Sequence, residues 1–227
     1  MTWVKICGMT NLEGALAAAE AGANAVGFVF YEKSSRLVSV EKARDIAEQL
    51  PKSVEKVGVF AGQSMEYAVE IASYARFDAV QLYLMTFGKP IDEIALHRRA
   101  TGSGLKMYVA LPVSLFLGDG TQNIAGLGRS NGAVDAFFLD SGGAEQPGGT
   151  GQTFDWQTSA SAVRELSRTQ KVVVAGGLTP ENVGNAIEIL NPWGVDVASG
   201  VEVRPGKKDP EKVRAFVQTV RRMEPKA

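Results

Sequence analysis

The sequence predicts an α/β protein, a single-domain (β/α)8 barrel of the TIM type spanning residues 1–227. Three observations carry this expectation. Eight short apolar runs rich in valine recur along the chain, helical stripes of one shared spacing lie between several of them, and glycine-rich turns follow the last three. Near-continuous apolarity over a short run suits a parallel strand covered on both faces. Alternation of such strands with helices leaves a closed barrel or an open doubly wound sheet. Cys7-Gly8-Met9-Thr10, not Gly-x-Gly-x-x-Gly, follows the first run, and glycine turns after the last strands suit the barrel.

The eight expected strands are Val4–Cys7, Ala25–Phe30, Lys56–Phe60, Ala79–Tyr83, Lys106–Leu111, Ala136–Leu139, Val172–Ala175 and Val195–Ala198. Four helices show apolar residues at i, i+3, i+4 and i+7, which places one stripe against a sheet. They carry Leu12, Ala15, Leu16 and Ala19; Ala43, Ile46, Ala47 and Leu50; Val183, Ala186, Ile187 and Leu190; and Val213, Phe216, Val217 and Val220. Ile91, Ile94 and Ala95 mark a fourth helix in chain order, and Ala160, Val163 and Leu166 a sixth. Phe116–Gly132 is glycine-rich with little periodicity, so a fifth helix is expected to be short or degraded. Thr10 and Glu13 have capping-box spacing. Thr179-Pro180 and Asp209-Pro210 each place a capping oxygen before a proline at the first helical position.

Composition narrows the function classes. Hydrophobic residues make up 45% and charged residues 22%, ordinary values for a soluble globular protein. A net charge of −1 offers no global attraction to nucleic acid or an anionic membrane. The first residues lack a signal-peptide layout and no apolar run reaches a membrane span. One cysteine cannot form an intramolecular disulfide, so a cytoplasmic protein is expected. With one cysteine and one histidine, His97, a zinc site lacks its usual ligands, and neither metal nor cofactor is expected. His97 stands beside Arg98 and Arg99 in a presumed helix and reads as a solvated surface residue.

In such a barrel chemistry sits at the carboxyl ends of the strands. The first strand ends in Lys5-Ile6-Cys7-Gly8 and the sixth in Leu139-Asp140-Ser141. Cys7 reads either as a buried core thiol or as a reactive group; Asp140 reads either as a loop cap or as an acid placed for catalysis. Gly176-Gly177 after the seventh strand and Ser199-Gly200 after the eighth offer two sets of backbone N–H groups on neighbouring strands. That arrangement points to a phosphate site, although turn geometry alone could demand the glycines.

At this point the motifs resemble one family. Lys5-Ile6-Cys7-Gly8-Met9-Thr10 is similar to the opening of phosphoribosylanthranilate isomerases, and Gly27–Tyr31 with Lys33-Ser34-Ser35-Arg36 to their second strand and loop. Further matches are Val57–Phe60, Phe138–Ser141, Gly148–Gly151 with Phe154-Asp155-Trp156, Ala175–Asn182, and Val195-Asp196-Val197 leading into Ser199–Glu202. The glycine pair alone occurs in many phosphate-binding barrels; the ordered set, from residue 3 to about residue 217, is specific.

The resemblance implies an Amadori rearrangement of N-(5′-phosphoribosyl)anthranilate in tryptophan biosynthesis, with this small molecule as the partner. Asp140 would be the general acid that protonates the furanose ring oxygen, and Cys7 the general base that takes the C2′ proton. Such a base calls for a lowered thiol pKa and such an acid for a raised one. Arg36 would engage the anthranilate part, Asp196 would contact substrate, and Gly149, within Gly148–Gly151, would belong to a cover over the site. The chain departs from the family at Tyr83-Leu84, where His-Gly is usual, and in the long segment Leu115–Asn131. Two alternatives stay open, a catalytically silent phosphate-binding barrel and a related isomerase of the histidine pathway, which typically carries aspartate at the position of Cys7. No apolar stripe beyond the helix faces is evident, which favours a monomer over a dimer.

Overall fold

A computed structural model describes residues 1–83, 94, 104–116, 132–142 and 151–224. Its centre is a closed parallel barrel of eight strands in sequence order. They are β1 (Trp3–Cys7), β2 (Ala25–Val29), β3 (Glu55–Phe60), β4 (Ala79–Tyr83), β5 (Lys106–Pro112), β6 (Ala136–Asp140), β7 (Val172–Val174) and β8 (Gly194–Val197). Each expected strand is present, its ends within one residue of those read from the apolar runs. The barrel closes where β1 pairs with β8, Trp3 opposite Gly194 and Lys5 opposite Asp196.

Side chains alternate across each strand, so every second residue points into the barrel. The inner cluster contains Ala25, Val57, Val59, Ala79, Ala110, Ala136 and Val173 around the rings of Tyr108 and Phe138, with Cys7 at its upper edge. Small residues on some strands make room for rings on others. Trp3 stacks on Trp193 at 5.2 Å between ring centroids and meets Tyr108 edge-on, closing the amino-terminal end. The larger core lies between the outer strand faces and the helices, and includes Ile6, Phe28, Phe137, Leu139 and Phe216.

Among the described residues six α-helices pack outside: α1 (Leu12–Glu20), α2 (Val40–Glu48), α3 (Met65–Tyr74), α4 (Trp156–Ser167), α5 (Val183–Leu190) and α6 (Pro210–Arg222). Their buried faces follow the expected stripes, as with Val213, Phe216, Val217 and Val220 in α6. Asp209 caps α6 through the N–H groups of Glu211 and Lys212, with Pro210 at the first turn. α3 was not marked in the sequence, although Met65, Ala68 and Ala72 bury one face of it. Ile94 is helical and buried; the rest of that expected helix, including His97, lies outside the described residues, as does most of Phe116–Gly132.

Two helix starts differ from expectation. Asn11, not Thr10, caps α1, because its extended backbone turns Oδ1 onto the Gly14 N–H at 2.8 Å. Thr10 instead donates its hydroxyl to the Gly206 carbonyl. Thr179-Pro180 opens a turn, and α5 begins only at Val183. Asn182 drives this delay: its amide accepts from the Thr179 N–H at 2.8 Å and donates to the Gly177 carbonyl at 3.0 Å, tying the turn back to the glycine loop. After β8, a 3-10 turn (Ser199–Val201) leads into an unforeseen hairpin of β9 (Glu202–Arg204) and β10 (Lys207–Lys208). No helix among the described residues is long and apolar enough to cross a membrane.

Candidate active site

Cys7, Arg36, Asp140, Gly176, Gly177, Asp196 and Ser199 line one cavity of about 240 Å³ at the carboxyl ends of the strands. The barrel brings together residues from opposite ends of the chain because β1 and β8 are neighbours. Gly200 stands behind the lining, and Gly149 lies outside the described residues. Tyr31, Lys33, Ser34 and Ser35 add a polar wall from the loop after β2, and Val29, Val59 and Ala61 an apolar one.

Cys7 closes β1 and is buried, with a free thiol. Burial pushes its pKa up, and the nearby Lys5 and Lys208 ammonium groups offset this only in part. The lowered thiol pKa expected from a base is therefore not what these surroundings produce. Desolvation penalises the thiolate more than two neighbouring cations stabilise it. Asp140 is raised, as an acid requires, chiefly by burial and further by the Asp196 carboxylate. The Gly142 N–H, donating to Oδ1 at 2.8 Å, works against the rise, as does Tyr83, whose hydroxyl donates to Oδ2 at 3.5 Å. Both groups are thus displaced upward, chiefly by burial.

Sequence reasoning assigned no role to Lys5, Glu202 or Lys208, which tie Asp196 and Arg36 into a polar shell around these two groups. Lys5 is wholly buried and donates from Nζ to Asp196 Oδ1 at 2.9 Å. Arg36 makes a two-pronged contact with Glu202, Nε to Oε1 at 2.9 Å and one terminal nitrogen to Oε2 at 2.7 Å. Lys208 donates to the same Oε1 at 2.8 Å and to the Ala198 carbonyl at 3.0 Å. Burial raises the Glu202 pKa, but Arg36 and Lys208 outweigh it and hold the carboxyl low. Charge-assisted, bidentate geometry of this kind fixes a guanidinium in orientation as well as place. The hairpin β9–β10 therefore aims Arg36 at the cavity from across the chain. The alternation Trp3, Lys5, Cys7 along one strand was the available signal for Lys5.

The glycine loops are built by close approach. Gly176 and Gly177 have φ of 82° and 62°, a region side chains rarely adopt. A Cβ on Gly176 would lie 2.7 Å from the Ser141 nitrogen, and one on Gly177 would lie 2.4 Å from the Gln152 carbonyl carbon. Gly200 is tighter still, its Cβ position 1.9 Å from the Leu178 carbonyl oxygen. The loops after β7 and β8 are thereby pressed together beside Ser199. Successive backbone N–H groups in such turns form concavities that hold an anion. Among the described residues no group of three or more His, Cys, Asp or Glu is placed to hold a metal ion.

Comparison with known proteins gives a consistent result. The family model described as N-(5′-phosphoribosyl)anthranilate (PRA) isomerase matches residues 4–219. The protein of that name from Thermotoga maritima is 40% identical over 222 residues, covering 97% of this chain and 99% of its relative. That from Rubrobacter xylanophilus is 42% identical over 221 residues, covering 97% and 100%. The crystal structure of the Thermotoga maritima enzyme superposes with a TM-score of 0.81 at 38% identity, covering 97% and 99%. A structure of phosphoribosyl anthranilate isomerase in complex with reduced 1-(o-carboxyphenylamino)-1-deoxyribulose 5-phosphate superposes with a TM-score of 0.78 at 37% identity, covering the same shares.

Proposed function

The chain belongs to the N-(5′-phosphoribosyl)anthranilate isomerase family, and from that premise we propose how its cavity carries out the family's reaction. The protein is an aldose–ketose isomerase of tryptophan biosynthesis. It converts N-(5′-phosphoribosyl)anthranilate, an aminoaldose, to the aminoketose 1-(2-carboxyphenylamino)-1-deoxyribulose 5-phosphate. The observation that supports the residue assignment is that Cys7 and Asp140 face one cavity whose far wall is the double glycine loop.

The phosphate binds at Gly176, Gly177, Ser199 and Gly200, with the closely packed loops supplying backbone donors. Arg36, its orientation set by Glu202, meets the anthranilate carboxylate. Asp140 gives its proton to the furanose ring oxygen, the C1′–O bond breaks, and the nitrogen lone pair forms a C1′=N iminium. Cys7 as thiolate then takes the C2′ proton, and the C2′–H electrons form the C1′=C2′ enolamine. Tautomerisation moves a proton onto C1′ and leaves a ketone at C2′. The steps are redox-neutral overall and use one acid and one base. Asp196 contacts the substrate from the wall of the cavity.

One chain supplies every residue in this assignment, so the monomer is taken as the catalytic unit. A thiol that must stay reduced suits a cytoplasmic setting. The test is a steady-state assay of the purified protein with freshly generated phosphoribosylanthranilate, following loss of its fluorescence. Saturable turnover is expected, lowered by about 10²–10⁴ in Cys7→Ala. Wild-type turnover in folded Cys7→Ala would remove the assigned base.

A further inference from the structure

A lysine fully buried inside a barrel is costly to keep charged, so its surroundings must account for it. Lys5 is 0% exposed and lies two residues before Cys7 on the same inward face of β1. Its ammonium is bracketed from three strands. Asp196 of β8 accepts from Nζ at 2.9 Å, the Phe138 ring of β6 lies 5.2 Å from Nζ, and the Cys7 sulfur of β1 interacts with its charge. Burial works against the charge, yet Asp196 and Cys7 outweigh it and leave the lysine more basic than usual.

The neighbouring strand is shaped around this pair. Gly27 of β2 stands opposite Cys7 in register. A Cβ there would lie 2.8 Å from the Cys7 sulfur and 3.0 Å from the Lys5 Cε. The φ of Gly27 is not positive, so conformation does not call for glycine at this position; space does. The vacancy lets the lysine stem and the sulfur lie side by side. The other charged or titratable groups facing the thiol are Asp196, Lys208, Arg36 and Tyr83, with Asp140 on the cavity wall contributed by β6. Of the cations, Lys208 and Arg36 are committed to Glu202, whereas Lys5 shares a strand face with the sulfur.

We propose that Lys5 is a positioning residue for the base, its ammonium anchored by Asp196 so as to stabilise the Cys7 thiolate and hold the sulfur at the cavity wall. The inference rests on Cys7 acting as the base. Lys5 keeps its proton throughout and touches no reacting atom. Its effect is to bring the thiolate, disfavoured by burial, within reach at working pH.

Cys7 is the one cysteine of the chain, so alkylation by iodoacetamide reports it alone. The alkylation rate is measured against pH in wild type, Lys5→Met, Lys5→Gln and Lys5→Arg, with folding checked by circular dichroism. In Lys5→Met the midpoint should rise by about one pH unit or more, so that alkylation below the wild-type midpoint slows about tenfold. Turnover should fall with KM changed less than about threefold, and Lys5→Arg should restore the wild-type midpoint in part. Lys5→Gln retains a donor for Asp196 without the charge; if Lys5→Met does not fold, the same upward shift is expected there. An unchanged alkylation profile in either folded neutral variant would overturn the proposal. Should Cys7→Ala retain turnover, the base assignment itself fails, whichever way the alkylation profile moves.

Discussion

Replacing Gly200 by alanine tests how the phosphate grip is built. Gly200 sits in the 3-10 turn after β8 without positive φ, so its backbone suits alanine and only space is at issue. The added Cβ would stand 1.9 Å from the Leu178 carbonyl oxygen, whereas real Cβ contacts essentially never fall under 3.0 Å. The obstacle is backbone of the loop after β7 and cannot rotate aside. The two glycine loops must therefore part by about an ångström, a displacement that can cost about 10²-fold in rate. Overpacking of this kind destabilises by about 1–3 kcal/mol, and each kcal/mol lowers Tm by about 2–4 °C in a chain of this size. The expected result is a KM raised by about 10–100-fold, weaker inhibition by inorganic phosphate in parallel, and a melting temperature lower by several degrees. Gly184→Ala, within α5, is the control, since its added Cβ would meet nothing nearer than Met223 Sδ, 3.5 Å away at the end of α6. It should melt at or above wild type, as glycine-to-alanine changes in helices do. Wild-type KM and phosphate inhibition in Gly200→Ala would refute the idea that close packing of these loops forms the grip.

Asp140→Asn should uncouple stability from catalysis. The folded pKa of Asp140 lies above its unfolded value, chiefly through burial. Its contribution to folding is therefore fully present below the unfolded pKa and is lost as pH rises through the folded one. At neutral pH the amide should raise Tm, with the difference shrinking as pH falls through the raised pKa and levelling off below the ordinary aspartate range, while turnover drops about 10²–10⁴-fold. A lower Tm at neutral pH would contradict the assigned burial effect. Arg36→Ala removes one partner from Glu202 but leaves Lys208 and the Gly206 N–H on that carboxylate. The fold should survive, with KM raised about tenfold or more and kcat changed less, the pattern of a lost binding contact worth about 1.5–3 kcal/mol. Steady-state kinetics on both variants distinguish binding from chemistry, and a fall in kcat alone for Arg36→Ala would place that residue in the chemical step instead.

Much of this protein was legible along the chain because its architecture repeats locally. Strand cores such as Val57–Phe60 and Ala136–Leu139 declare themselves by continuous apolarity, since both faces of a barrel strand are covered. Cys7, Asp140 and the glycine pair stand at strand ends, where chain position alone places them on the active face. α3 escaped notice because its buried face is made largely of alanine, a weak hydrophobic signal despite helical spacing. Caps were read less well: Asn11 won over Thr10 by accepting from the Gly14 N–H, and Asn182 starts α5 without a side-chain cap, its amide tied back to Thr179, because such bonds depend on local backbone angles.

Tertiary structure alone decided the electrostatics. Lys5 meets Asp196 across 191 residues and Arg36 meets Glu202 across 166, contacts that no local pattern encodes and that barrel closure creates. Whether Cys7 is more or less acidic than a free thiol depends on a competition between burial and these charges, and burial wins. The order of residues specifies which groups stand on the active face, since strand periodicity is local. Their charge states come from distance and desolvation, which exist only once the first and last strands meet.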